Sequence, residues 1–160
     1  MMRHGNVRTA ILLGSLIVLL VAGCASMSGM GPGSGDVVAD RQRLMRLNGA
    51  SWADIQAKVK AGNIEAVMVN AETLALNAEH IPSMFPNGSL TDKSKAKPDV
   101  WQKFDQFKDA SKNMQTLSAR LRDAAKAKDA ATVETMVKDF GAKACGTCHT
   151  PFRVPPPRTS

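Results

Sequence analysis

Two cysteines and a histidine near the C-terminus, Cys145, Cys148 and His149, stand in the order C-x-x-C-H. This is the spacing by which a c-type haem is attached. On a helix, positions i and i+3 share a face, so two thiols placed there can reach the two vinyl groups of one porphyrin and form thioethers. The adjoining His149 then offers an imidazole nitrogen to the iron from one side of the ring. Zinc and thiol-redox sites use the same residue types. This chain, however, has no second Cys/His pair to complete a tetrahedral zinc site and no βαβ pattern around the cysteines. The expected cofactor is one covalent haem c, bound by Cys145 and Cys148 with His149 on its iron.

The elements that must position this motif are helical. Ala, Leu, Met, Lys, Gln and Asp abound, and there is no tyrosine among the 160 residues, a composition that favours helix over sheet. Four amphipathic segments follow the 3.6-residue period. The first runs from about Asp36 to Ala61, with Val38, Met45, Trp52 and Val59 seven apart and Ile55 alongside. The second runs from about Asn63 to Glu79. The third starts near Pro98 and carries Trp101, Phe104, Phe107, Met114, Leu117 and Leu121. The fourth, from about Asp129 to Phe152, presents Val133, Met136, Val137, Phe140, Ala144 and Cys148. Gly62 and Ala127–Asp129 mark short turns. The stretch Ile81–Lys97, with Pro82, Pro86 and Asn87-Gly88, reads as a long loop. Short, long and short connections predict an all-α, antiparallel up-down-up-down four-helix bundle over residues 36–153. Residues 154–160 form a tail.

The N-terminal stretch carries an address. Arg3 and Arg8 precede an uncharged, largely apolar run from Ala10 to Ala22, too short for the ~20 residues of a membrane-spanning helix and suited to a signal peptide over residues 1–23. The run ends Val21-Ala22-Gly23-Cys24, which resembles the lipobox of bacterial lipoproteins, where the cysteine is acylated and becomes the new N-terminus. Lipidation of Cys24 accounts for the third cysteine and leaves no thiol free. Ordinary cleavage near Cys24-Ala25-Ser26, giving a soluble periplasmic protein, is the alternative. Residues 24–35 are Gly/Ser-rich, and a flexible linker of that length spans roughly 18 Å. The whole chain has 21 basic and 14 acidic residues. Loss of Arg3 and Arg8 would leave a modest basic excess, consistent with solvated helix faces, an acidic protein partner or an anionic membrane. No interleaving of basic and aromatic residues points to nucleic acid.

The sequence resembles the class II c-type cytochromes, the cytochrome c′ and cytochrome c-556 group, from about Val37 to Arg153. The markers are Arg41-Gln42-Arg43-Leu44-Met45, Phe85-Pro86-Asn87-Gly88-Ser89, Ala96-Lys97-Pro98-Asp99-Val100-Trp101, and C-x-x-C-H with Arg153 four residues beyond the histidine. The resemblance implies a four-helix bundle with haem inside it. It matches Arg41 to an arginine near a haem propionate, although a solvated helix-face arginine is an equal reading. It sets Arg153 against the proximal histidine, with a helix-dipole role competing. It also aligns Met45, four residues after Arg41, with the position over the distal haem face. A methionine there, as in cytochromes c-556, implies a six-coordinate, low-spin iron. A non-ligating residue, as in cytochromes c′, implies a five-coordinate iron open to nitric oxide or carbon monoxide. The chain has nine methionines, and a methionine on a helical stripe is ordinarily core filler; Met68, Met84, Met114 and Met136 are read that way. The tail Val154-Pro155-Pro156-Pro157 departs from the family by stopping the last helix early, which would leave the proximal side more open.

The function this implies is single-electron transport by a periplasmic, membrane-tethered cytochrome, with no enzymatic turnover. The alternative is a high-spin module that binds nitric oxide or carbon monoxide. Unidentified redox proteins are the expected partners, the N-terminal lipid the membrane contact, and a homodimer a further possibility.

Overall fold

A computed structural model describes residues 35–156. The expected signal segment, Cys24 and most of the tether lie outside the described residues. Helix α1 (Val37–Lys60) starts where Asp36 accepts hydrogen bonds from the amides of Val38 and Ala39, an N-cap that satisfies two otherwise orphaned donors. It ends at Gly62, whose φ of +75° suits a residue without Cβ. Helix α2 (Val67–His80) begins later than the periodicity predicts, because Asn63–Ala66 is spent turning the chain. Ile64 still packs against the core from that turn. A single 3-10 turn, Pro82–Met84, opens the long loop.

The third predicted helix is divided. Helix α3 (Asp99–Gln102) is followed by Lys103 at φ −124°, and α4 (Phe104–Lys126) then continues. The Lys103 amide bonds to the Asp99 carbonyl and the Phe107 amide to the Lys103 carbonyl, so Lys103 closes α3 and opens α4 at the bend. The fourth segment spans α5 (Ala130–Phe140), a π-helical stretch at Gly141–Gly146 and α6 (Thr147–Phe152). Asp129 caps α5 through the Thr132 amide. Two carbonyl–amide contacts, Phe152 to Lys97 and Lys95 to Val154, then fasten the chain beyond α6 to the segment before α3.

Cross-links fix the directions. Asn48 pairs with Asn77 and Lys58 with Asn70, so α1 and α2 are antiparallel. Ser111 donates to the Ala78 carbonyl and Arg122 reaches Glu72, so α2 and α4 are antiparallel as well. Helix α5 returns along α1 and α4. The all-α bundle expected from the sequence is the fold observed. Its core mixes Ile55, Leu74, Phe107 and Leu121 with the small residues Ala71, Ala78, Ala125 and Ala144, which let helices approach closely. Trp52 on α1 stacks on Phe140 of α5, with ring centroids 4.9 Å apart. Among the described residues no helix is long and apolar enough to cross a membrane.

Candidate functional site

Arg41, Met45, Cys148, His149 and Arg153, singled out in the sequence, converge on one cavity of about 530 Å³, while Cys145 packs on the core without lining it; the volume lies within the ~300–1,000 Å³ range of cofactor pockets. Helix α1 contributes Arg41 and Met45, which share a face because they are four apart. Helix α6 and the residue after it contribute Cys148, His149, Phe152 and Arg153. The long loop and the start of α3 close the remaining sides with Phe85, Ser94, Lys95, Ala96 and Val100, and α4 supplies Phe107. The wall is mostly apolar. An edge-on cluster of Phe85, Phe107 and Phe152 forms part of it, with centroids 4.7 and 5.3 Å apart.

Cys145 and Cys148 are half-buried against the core, and Cys148 lines the cavity. Burial lifts both thiols above the ordinary cysteine range. Cys148 is pushed up to about 11, with Cys145 adding to the effect. At neutral pH both remain protonated. Among the described residues no cluster of His, Cys, Asp and Glu is built to hold a metal by itself. His149 stands at the mouth of the cavity. Partial desolvation first, and the charge of Arg153 second, hold its pKa below the ordinary histidine value, which leaves the imidazole neutral with a lone pair to offer.

Met45 is half-buried and is the one methionine among the described residues that lines this cavity. Met114 is buried in the core, and Met68, Met84 and Met136 pack against it, as expected of filler. Trp101, Phe104 and Phe107 also belong to the core and its border.

Arg41 is not a solvated helix-face arginine. It is 4% exposed, and its guanidinium donates to the Ser89 carbonyl at 2.7 Å, the Ser94 Oγ at 2.9 Å, the Ser89 Oγ at 3.1 Å and the Met84 carbonyl at 3.4 Å. It also lies 4.6 Å over the Phe85 ring. Burial lowers its pKa, and Asp36 opposes that. The side chain still lines the cavity, but most of its donors hold the long loop in place. The loop marker Phe85-Pro86-Asn87-Gly88-Ser89 thus acquires a physical meaning. Phe85 lies under the guanidinium, and Ser89 accepts twice from it. Gly88 takes φ +78°, and the Phe85 and Pro86 carbonyls both accept from Trp101 Nε1. Ser94, Lys95 and Arg46 escaped sequence reasoning, since no short-range pattern links them to C-x-x-C-H. Arg153 is exposed beside His149. The tail does stop α6, yet the backbone pairing of Lys95 with Val154 holds it against the loop.

A flat, mostly apolar ring with two vinyl groups, two carboxylates and a central metal fits this donor set. Two protonated thiols lie on one helical stretch, a neutral imidazole follows them directly, and a thioether and cationic groups line the same apolar cavity.

Comparison with known proteins agrees. The family model described as Cytochrome C' matches residues 36–153. A cytochrome c-556 from Agrobacterium fabrum is 36% identical over 123 residues, spanning 73% of this chain and 80% of that protein. A second cytochrome c-556, from Agrobacterium tumefaciens strain II Chrys, is 34% identical over 128 residues, spanning 73% and 96%. The crystal structure of cytochrome c′ from Thermochromatium tepidum superposes with a TM-score of 0.68 at 23% identity, covering 74% of this chain and 95% of that one.

Proposed function

The chain belongs to the cytochrome c′ family, the class II c-type cytochromes, whose members carry one covalent haem c, and we propose that it transports single electrons at a low-spin iron held between His149 and Met45. One observation carries the reading: Met45 lines the same cavity as His149 and Cys148, four residues along α1 from Arg41. The likeness to cytochromes c-556 supports it. A haem c bound there supplies an Fe(II)/Fe(III) couple. Cys145 and Cys148 would hold the porphyrin through thioethers, and His149 would give its neutral imidazole nitrogen. The soft Met45 thioether would favour the reduced metal and close the site to exogenous ligands. Arg41 and Arg153 supply positive charge beside the cavity, and the packed bundle would keep His149 and Met45 in place. No substrate turnover belongs to this reading.

The exported segment 1–23, a lipidated Cys24 and the tether 24–35 are proposed to hold the bundle at a bacterial membrane on its periplasmic side. Val69 and Leu76, seven apart on α2 and 63% and 52% exposed, support self-association through that face, with Leu76→Glu expected to shift the sedimentation coefficient to that of a monomer.

Optical spectra of the purified holoprotein in both oxidation states test the central claim. A low-spin ferric spectrum with the weak near-infrared sulfur-to-iron band, and no change under carbon monoxide, is expected. A high-spin spectrum with ready carbon monoxide binding would replace electron transport by the gas-binding reading.

A further inference from the structure

We propose that the basic rim of the cavity is the docking surface for an acidic face on a redox protein. The inference rests on the electron-carrier reading for its purpose and on charge placement for its evidence. Arg46, Lys95 and Arg153 line the mouth, and none of the residues lining the cavity is a carboxylate. Lys93 and Lys97 join them. The Lys93 carbonyl accepts from Gln42, a lining residue, and Lys97 Nζ donates to the Thr150 carbonyl beside His149 at 3.2 Å. Four of these five cations are exposed and Lys97 is half-buried.

None of the five has an ion-pair partner among the described residues. Neighbouring carboxylates hold other cations, Asp40 with Arg43 at 3.1 Å and Asp99 with Lys103 at 2.8 Å, although the Asp99 charge is also felt by Lys97. On other faces Arg122, Lys128 and Lys143 each hold a carboxylate. Asp92 is the one acid in the loop stretch that carries three of the rim lysines. Haem brings two propionates, so a surplus of positive charge persists around the bound cofactor.

The rim also holds an apolar contact. Val154 is 46% exposed and bonded through its amide to the Lys95 carbonyl. A small apolar spot within a single-sign charged ring suits a short-lived complex, in which long-range attraction sets the rate of encounter and little buried area delays release. The rim surrounds the cavity, so a partner seated on it lies close to the group that gives up the electron.

The test follows oxidation of the reduced holoprotein by stopped flow. One electron passes from the ferrous protein to hexacyanoferrate(III), which becomes hexacyanoferrate(II), or to tris(phenanthroline)cobalt(III), which becomes the cobalt(II) complex. The rim variant Arg46→Glu/Lys93→Glu/Lys95→Glu is compared with Arg120→Glu/Lys126→Glu/Lys138→Glu, which changes net charge equally on residues that do not line the cavity. At low ionic strength the rim variant should react with hexacyanoferrate roughly ten-fold or more slowly and with the cobalt complex faster, with both effects fading as salt is added. Poly-L-glutamate should inhibit the wild-type reaction and leave the rim variant untouched.

Equal slowing in both triple variants would mean that net charge alone acts, and would overturn the proposal. So would rim-dependent binding to phosphatidylglycerol vesicles that matches or exceeds binding to polyglutamate, since the surface would then face a membrane. Lys93→Glu/Lys97→Glu, which spares the cavity lining, should slow the hexacyanoferrate reaction several-fold even if the triple variant folds poorly. The resting spectrum, recorded on each sample, reports separately on axial ligation, so failure of the ligation reading and failure of the rim are told apart.

Discussion

At the scale of the residue, Met45 decides between two chemistries. Met45→Leu roughly conserves volume, so packing should cost less than about 1.5 kcal/mol and the bundle should persist. The electronic consequence is much larger. Without the thioether the iron should become mainly high-spin, its potential should fall and carbon monoxide should bind, all readable by titration and absorption spectroscopy. An unchanged spectrum would make Met45 core filler. Cys145, Cys148 and His149 could be singled out in the sequence because C-x-x-C-H is written in spacings of one to three residues, whereas Met45 was singled out only through the resemblance that aligns it four residues after Arg41. The partners of Arg41 were not, since Ser89 and Ser94 lie 48 and 53 positions away and only the folded loop brings them together. Arg41→Ala should strand those acceptors and destabilise the protein by about 2–3 kcal/mol. The same change should raise proteolytic cleavage within 82–97. Cleavage no faster than in wild type would show that the loop holds without its arginine.

At the scale of the element, helical periodicity marked the four long segments well, and it failed where a helix departs from 3.6 residues per turn. Neither the bend at Lys103 nor the late start of α2 disturbs the apolar stripe enough to be seen in sequence. The π-helical stretch Gly141–Gly146 is subtler still, because it holds one extra residue within a continuous helical span. It contains Cys145 and ends two residues before Cys148, so it sets the face on which the thiols and His149 emerge. Deleting the exposed Ala142 should let this stretch close as an ordinary α turn, rotating everything after it by roughly 100° relative to α5. Far-ultraviolet dichroism should change little, while covalently retained haem should drop about ten-fold or more. Ala142→Ser, which keeps the residue count, should retain haem fully. Equal retention in both variants would mean that the π turn has no part in orienting the motif.

At the scale of the whole molecule, the bundle was readable from connection lengths, but the cavity was not. Its walls come from α1, the long loop, α3, α4 and α6 with the residue that follows it, so no single segment displays it. An apolar cavity of about 530 Å³ among helices implies that the fold is completed by what fills it, because unfilled walls lose contacts that the bundle alone cannot replace. Covalent attachment makes that completion permanent. The wild-type protein, matured with haem, should therefore keep its chromophore through acid–acetone extraction and show one haem of added mass at Cys145 and Cys148. Cys145→Ala/Cys148→Ala removes both thioethers while changing little volume. It should yield a largely helical apo-protein that melts roughly 10 °C or more below the holoprotein, with near-ultraviolet dichroism from Trp52 and Trp101 weakened. If apo and holo forms melt together, the bundle closes on itself and the cavity is a passive slot. The export address belongs to this scale as well. Cys24→Ser should release a protein of unchanged spectrum and melting temperature from the membrane fraction into the soluble periplasm, because the described bundle begins at the exposed Gly35 and Asp36. Identical partitioning of variant and wild type would assign the leader to ordinary cleavage and leave the electron carrier free in the periplasm.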